Sequence, residues 1–148
     1  MIGNFLKNNN MNNLEQFKNH IEYNGYTITN DYEDGSCIAN SERYGPMCIV
    51  PIGDNGDIGI RVQKLYPIDV AGCTSNVEKM ELYDMVNEIN KNLAISKCTL
   101  EQDGLIMSYP MIGYDKSKAA KVLEGFHLDC EQIFNFDLER FWTKQAVA

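Results

Sequence analysis

MCIVPIGDNGDIGIRVQ, residues 47–63, is the stretch whose reading decides the fold. Met47 to Ile52 is a continuous apolar run interrupted only by Pro51, and Asp54-Asn55-Gly56 supplies residues that accept the positive φ angles of a hairpin turn. Beyond the turn Ile58, Ile60 and Val62 alternate with Gly59, Arg61 and Gln63, the period of two expected of a strand with one wet face. The stretch therefore predicts an antiparallel β-hairpin. It also removes a calcium reading: Asp54, Asn55 and Asp57 crowd oxygen ligands near Gly56, but an EF-hand loop needs further ligands and a closing glutamate, and the chain continues Arg61-Val62-Gln63-Lys64.

The same logic extends in both directions. Upstream, Leu14, Phe17 and Ile21 recur at helical spacing, with Asn12 and Glu15 at N-cap and N3 and Gly25 placed as the stop. Tyr26, Ile28, Asn30 and Tyr32 alternate with polar residues, Asp34-Gly35 predicts a tight turn, and Cys37 to Ala39 is the returning arm. Downstream, Ser75 and Glu78 fit a capping box, and Val77, Met80, Val86, Ile89 and Leu93 are assigned to the buried stripe of a second helix, widened by Tyr83 and Met85. Cys98 and Leu100, a turn at Asp103-Gly104, and Leu105, Met107 and Tyr109 predict a third hairpin. Asp115 is the expected N-cap of a long last helix, in which Ala119, Val122, Leu123, Phe126, Cys130, Ile133 and Phe134 follow the helical period toward Phe141 and Trp142. Gly125 marks close packing or a local weakness in it.

Helix, strands, helix, hairpin, long C-terminal helix: the order predicts an α+β fold, an antiparallel β-sheet with helices packed on one face. Connections are too short for parallel crossovers. Residues 1–12 read as a flexible asparagine-rich leader and 13–148 as a single domain, within the usual size for the chain's 148 residues.

Charge and cysteines narrow the function. A formal net charge of -8 repels phosphate backbones and anionic lipid, so no direct nucleic acid and no membrane are expected as partners. The five cysteines are odd in number, widely spaced and without a Cys-x-x-Cys pair, which favours reduced core thiols. Cys130 falls on the apolar side of its helix and reads as one of them. Without an export signal or an apolar run of membrane-spanning length, a cytoplasmic location is expected. His20 and His127 are isolated from any catalytic pattern and read as surface or capping residues. Gly53, Gly56 and Gly59 lack the strand-to-helix turn and Lys-Ser/Thr pair of a phosphate loop. No catalytic residue, cofactor or metal site is expected.

What remains is binding. Glu81, Asp84 and Glu88, with Glu78, share a helix at three- and four-residue spacing, either a solvated side or an acidic stripe for a basic partner. Tyr109, Tyr114, Phe136, Phe141 and Trp142 gather, with further phenylalanines, in the C-terminal third, as core or as interface.

The segments ELYDMVNEIN (residues 81–90), CTLEQDGLIM (98–107) and Leu123-Glu-Gly-Phe resemble the YbjN-like and type III secretion chaperone-like superfamily. Asn87 and Asn90 are similar to its YbjN side; the acidic pI, the size and Leu123 to Phe126 resemble the chaperones. The resemblance implies a non-enzymatic fold that often forms a homodimer and binds segments of other proteins. The expected function is a chaperone- or regulator-like protein-binding module holding a basic or amphipathic segment. An acidic inhibitor or immunity-type protein that blocks a basic site on a nuclease or defence enzyme is the alternative.

Overall fold

The structure, a computed structural model, describes residues 12–102 and 104–141. Nearly all of the asparagine-rich leader, and Trp142, lie outside the described residues. Three α-helices, α1 (Asn13–Tyr23), α2 (Asn76–Lys91) and α3 (Lys116–Glu131), accompany six strands: β1 (Thr27–Thr29), β2 (Cys37–Ser41), β3 (Gly45–Ile52), β4 (Gly59–Tyr66), β5 (Lys97–Glu101) and β6 (Gly104–Ile112). The strands form one sheet in the order β1-β2-β3-β4-β6-β5. The fold is α+β, and the chain divides into two compact units, residues 1–63 with 110–122 and residues 64–109 with 123–148.

The first unit is built on the hairpin of residues 47–63. β3 and β4 pair antiparallel from Cys48↔Gln63 to Ile52↔Gly59, and Asn55 (φ 56°) with Gly56 (φ 78°) turns the chain between them. Asn tolerates the left-handed region because its short side chain bonds locally, and Gly has no Cβ to clash. β2 joins the other edge of β3 with Cys37 opposite Ile49, so Cys37, Ala39, Met47, Ile49, Ile60 and Val62 are buried. Their alternates Ile38, Cys48, Val50 and Gln63 are half-buried and Arg61 is exposed, the wet face the alternation predicts.

α1 adds its stripe of Leu14, Phe17 and Ile21 to this core. Complete burial of a side chain such as Phe17 contributes roughly 1.5–3 kcal/mol. The Asn12 side chain accepts the Glu15 N–H at 2.8 Å, and Asn13 Nδ2 donates to the carbonyls of Gly56 (2.9 Å) and Asp57 (3.0 Å), fastening the helix start to the β3–β4 turn. The first hairpin differs from expectation. Only Thr27 to Thr29 pair with β2, and Asp34 works as a side-chain acceptor for the Ser36 N–H at 2.9 Å rather than as half of a two-residue turn.

In the second unit β5 and β6 pair with Cys98 opposite Met107 and Glu101 opposite Gly104, so Gly104 is already in β6 rather than in the turn expected at Asp103-Gly104, of which Asp103 lies outside the described residues. Ser75 Oγ accepts the Glu78 N–H at 3.1 Å and caps α2, whose buried residues are Leu82, Val86 and Ile89. Val77 and Met80, assigned to that stripe from the sequence, are 66% and 65% exposed. The reason is angular: Val77 and Val86 are nine residues apart, about two and a half turns, and so face opposite ways. Asn90 Nδ2 donates to the Cys98 carbonyl and its Oδ1 accepts the Cys98 N–H, both at 2.8 Å, clamping α2 to β5.

Asp115 caps α3 by accepting the Lys118 N–H at 2.9 Å. Within the second unit the helix buries Leu123, Phe126, His127, Asp129 and Cys130, and a Cβ on Gly125 would meet Ile95 Cδ1 at 2.8 Å, the close packing the glycine marks. His127 is thus an interior residue, at ring contact with Phe126, rather than a surface or capping one. After Glu131 the chain tightens into a 3-10 turn, Gln132–Asn135, which turns Phe134 outward to 77% exposure while Ile133 stays buried.

Candidate binding surface

The outer side of α2 carries an apolar edge that the sequence reading placed inside. Val77, Met80 and Asp84 stand at i, i+3 and i+7 on the face opposite Leu82 and Ile89, and Tyr83, 55% exposed, sits on the flank. Beside that flank lies a cleft of about 450 Å³, whose walls are Leu82, Tyr83 and Lys79 from α2, Val70 and Cys73 from the preceding loop, and Leu100 from β5. Apolar walls of this size, with a few polar groups, are the usual form of a recognition groove. Cys73 is itself buried, and its Sγ lies 3.5 Å from the Asp69 carbonyl.

The acidic stripe divides once the ion pairs are placed. Glu81 pairs with Arg140 at 3.0 Å and Glu88 with Lys91 at 2.8 Å, whereas Asp84 forms no ion pair among the described residues. Arg140 also lies 4.6 Å over the Phe141 ring. Phe141 is buried and its carbonyl accepts the Asp69 N–H at 2.6 Å, so Phe141, and with it Glu81, holds residues 139–141 against the loop before α2. Exposed pairs such as these contribute at most about 1 kcal/mol, and the larger consequence is that Asp84 is left as the uncompensated charge beside Val77 and Met80.

The remaining aromatic residues do not converge on one surface. Tyr109 on β6 and Phe136 after the 3-10 turn are half-buried in the second unit. Tyr114 belongs to the first unit, where its Oη lies 3.2 Å from His20 Nδ1. Val77, Met80 and Tyr83 were missed as surface residues, and the signal that finds them is the helical angle measured from Val86.

Thiol chemistry is suppressed by burial. Loss of solvation raises Cys98 to about 12 and Cys130 and Cys37 to about 11, well above the range in which a thiolate nucleophile forms at neutral pH. Among the described residues no group of three or more His, Cys, Asp or Glu is placed to hold a metal ion. No helix among them is long and apolar enough to cross a membrane. Compared with protein-family models, with curated proteins and with solved structures, the chain matches none.

Proposed function

We propose that the protein is a protein-binding module whose cleft beside α2 receives a basic, amphipathic segment of a partner. The observation that carries the reading is the exposed row Val77-Met80-Asp84 next to the Tyr83 and Leu100 cleft: open apolar side chains, and a carboxylate with no ion pair among the described residues. Burying Val and Met side chains at that exposure supplies affinity, and Asp84 selects a cation. A segment with apolar residues at i, i+3 and i+4 and lysine or arginine beside them matches both features. The resemblance to the YbjN-like and type III secretion chaperone-like superfamily points the same way and stands on the sequence pattern alone.

The test uses a defined probe, an amphipathic leucine-lysine helical peptide, with a peptide of the same composition whose order abolishes the apolar face as control. Fluorescence anisotropy on the full chain should show the ordered peptide bound more tightly than the control, and Met80→Ser with Tyr83→Ala should abolish that difference. Equal binding of both peptides would overturn the reading. Light scattering at the same concentrations identifies a second copy of the chain as the occupant if a dimer dissociates on Met80→Ser, which also counts against a foreign segment.

A further inference from the structure

The first unit contains a cavity of about 430 Å³ where α1 faces the segment that leads into α3. Gln16, Asn19, His20, Tyr23 and Asn24 come from one side of α1 and its C-terminal cap, and Tyr114 and Lys116 close the other wall. The volume falls in the range of small-molecule sites. Its chemistry is unusual for this chain: 21 of the residues are Asp or Glu, yet among the described residues none lines the cavity. On α1 the nearest acids, Glu15 and Glu22, project about 100° or more around the helix from the middle of the lining set. Asp115, beside Lys116, directs Oδ1 to the Lys118 N–H and is not part of the lining.

Among the described residues the cavity thus holds a cation without a counter-ion. Lys116 forms no ion pair among the described residues, and two aromatic residues share the lining with it, Tyr23 with 91% of its surface open and Tyr114 edge-on to His20 at 6.1 Å. Burial and then the Lys116 ammonium hold His20 below its ordinary value, so the ring is neutral at pH 7. Tyr114 Oη and His20 Nδ1 lie 3.2 Å apart, a hydrogen bond whose donor is set by the ring tautomer. Asn24 Nδ2 donates to the His20 carbonyl at 2.7 Å, which fixes the backbone at the cavity rim.

We propose that this cavity binds a small planar organic anion, with Lys116 meeting the acidic group and the Tyr23 and Tyr114 rings flanking the flat body. Lys116 is exposed and attracts an anion as an ammonium at the rim, and tyrosine faces stack on planar rings. Carboxylate and phosphate share this recognition, so the test separates them. The site is independent of the α2 cleft and survives or fails without it.

The experiment is a nitrogen-15 chemical-shift titration of the full chain with 2-naphthoate, 2-naphthyl phosphate and the uncharged 2-naphthamide. The expected result is saturable shifts confined to residues 16–24 and 114–116, with one of the anions bound roughly tenfold or more tightly than the amide. Lys116→Gln should remove most of that preference while Tyr23→Ala weakens anion and amide alike. The tighter of the two anions assigns the head group. Equal affinity for amide and anion, shifts elsewhere on the chain, or no saturation by about 5 mM, where binding is weaker than any specific site of this size, would overturn the proposal.

Discussion

Asp129 and Ala94 are thirty-five positions apart in sequence, yet Oδ1 of the first accepts the backbone N–H of the second at 2.8 Å. Oδ2 accepts the Ile95 N–H at 3.0 Å and the Ser96 N–H at 2.8 Å, so one buried carboxylate takes three successive backbone N–H groups of the turn between α2 and β5. Burial alone would raise this carboxyl; the backbone donors of Ala94, Ile95 and Ser96 pull it further the other way, and it lies below its ordinary value of 3.8.

Asp129→Asn should therefore cost about 1–3 kcal/mol at pH 7, because an amide offers one acceptor oxygen and leaves N–H groups unpaired. A carboxyl whose pKa is depressed by folding contributes stability that is present above its unfolded value and lost as pH falls through the folded one. The gap between wild type and Asp129→Asn in urea melts should accordingly be constant from pH 7 to about 5 and narrow below about 4. A gap that widens in acid would contradict the assignment.

Gly59 sets a second limit. A Cβ there would collide with the Met111 carbonyl oxygen, a backbone atom that cannot rotate away. Gly59→Ala should lower stability by about 2 kcal/mol or more, measured by thermal or denaturant unfolding. A neutral effect would mean that β4 and β6 do not approach as described.

The five thiols should separate by access. Cys48 is half-buried while Cys37, Cys73, Cys98 and Cys130 are buried. Alkylation by iodoacetamide at pH 8, followed by mass spectrometry, should label Cys48 first and Cys98 and Cys130 last, with all equal in denaturant. Early labelling of Cys98 would contradict its burial.

His20 should titrate below 6.5 by proton NMR, and Lys116→Gln should move its midpoint upward by removing the ammonium, though burial keeps it below 6.5. Because the folded value is depressed, the stability His20 contributes is present above 6.5 and lost as pH falls through the folded pKa. An unchanged midpoint in Lys116→Gln would separate the two groups.

The elements with the strongest periodicity were legible. Residues 47–63 state their hairpin through an alternating strand and an Asn-Gly turn, and the caps Asn12, Ser75 and Asp115 all perform as the sequence implies. The α2 stripe was misread because apolar identity was counted without its angle: Val77 and Met80 are as hydrophobic as Val86, but Leu82, four residues before Val86, is the one that shares its face. Asn90 drew notice as half of an asparagine pair with Asn87; its clamp on Cys98 is a pairing across eight residues that no local pattern announces. The cavity at His20 and Lys116 was illegible for the same reason, since its walls are ninety-six positions apart and meet only through the fold.

The central claim is tested most directly by charge reversal at Asp84, which stands in the Val77-Met80 row and forms no ion pair among the described residues. In an anisotropy titration, Asp84→Lys should weaken the amphipathic leucine-lysine peptide about tenfold, while Glu42→Lys, an equal change in net charge on an exposed residue of the other unit, should weaken it less than about twofold. If both variants lower affinity equally, the peptide senses only net charge and the α2 edge is not the binding surface.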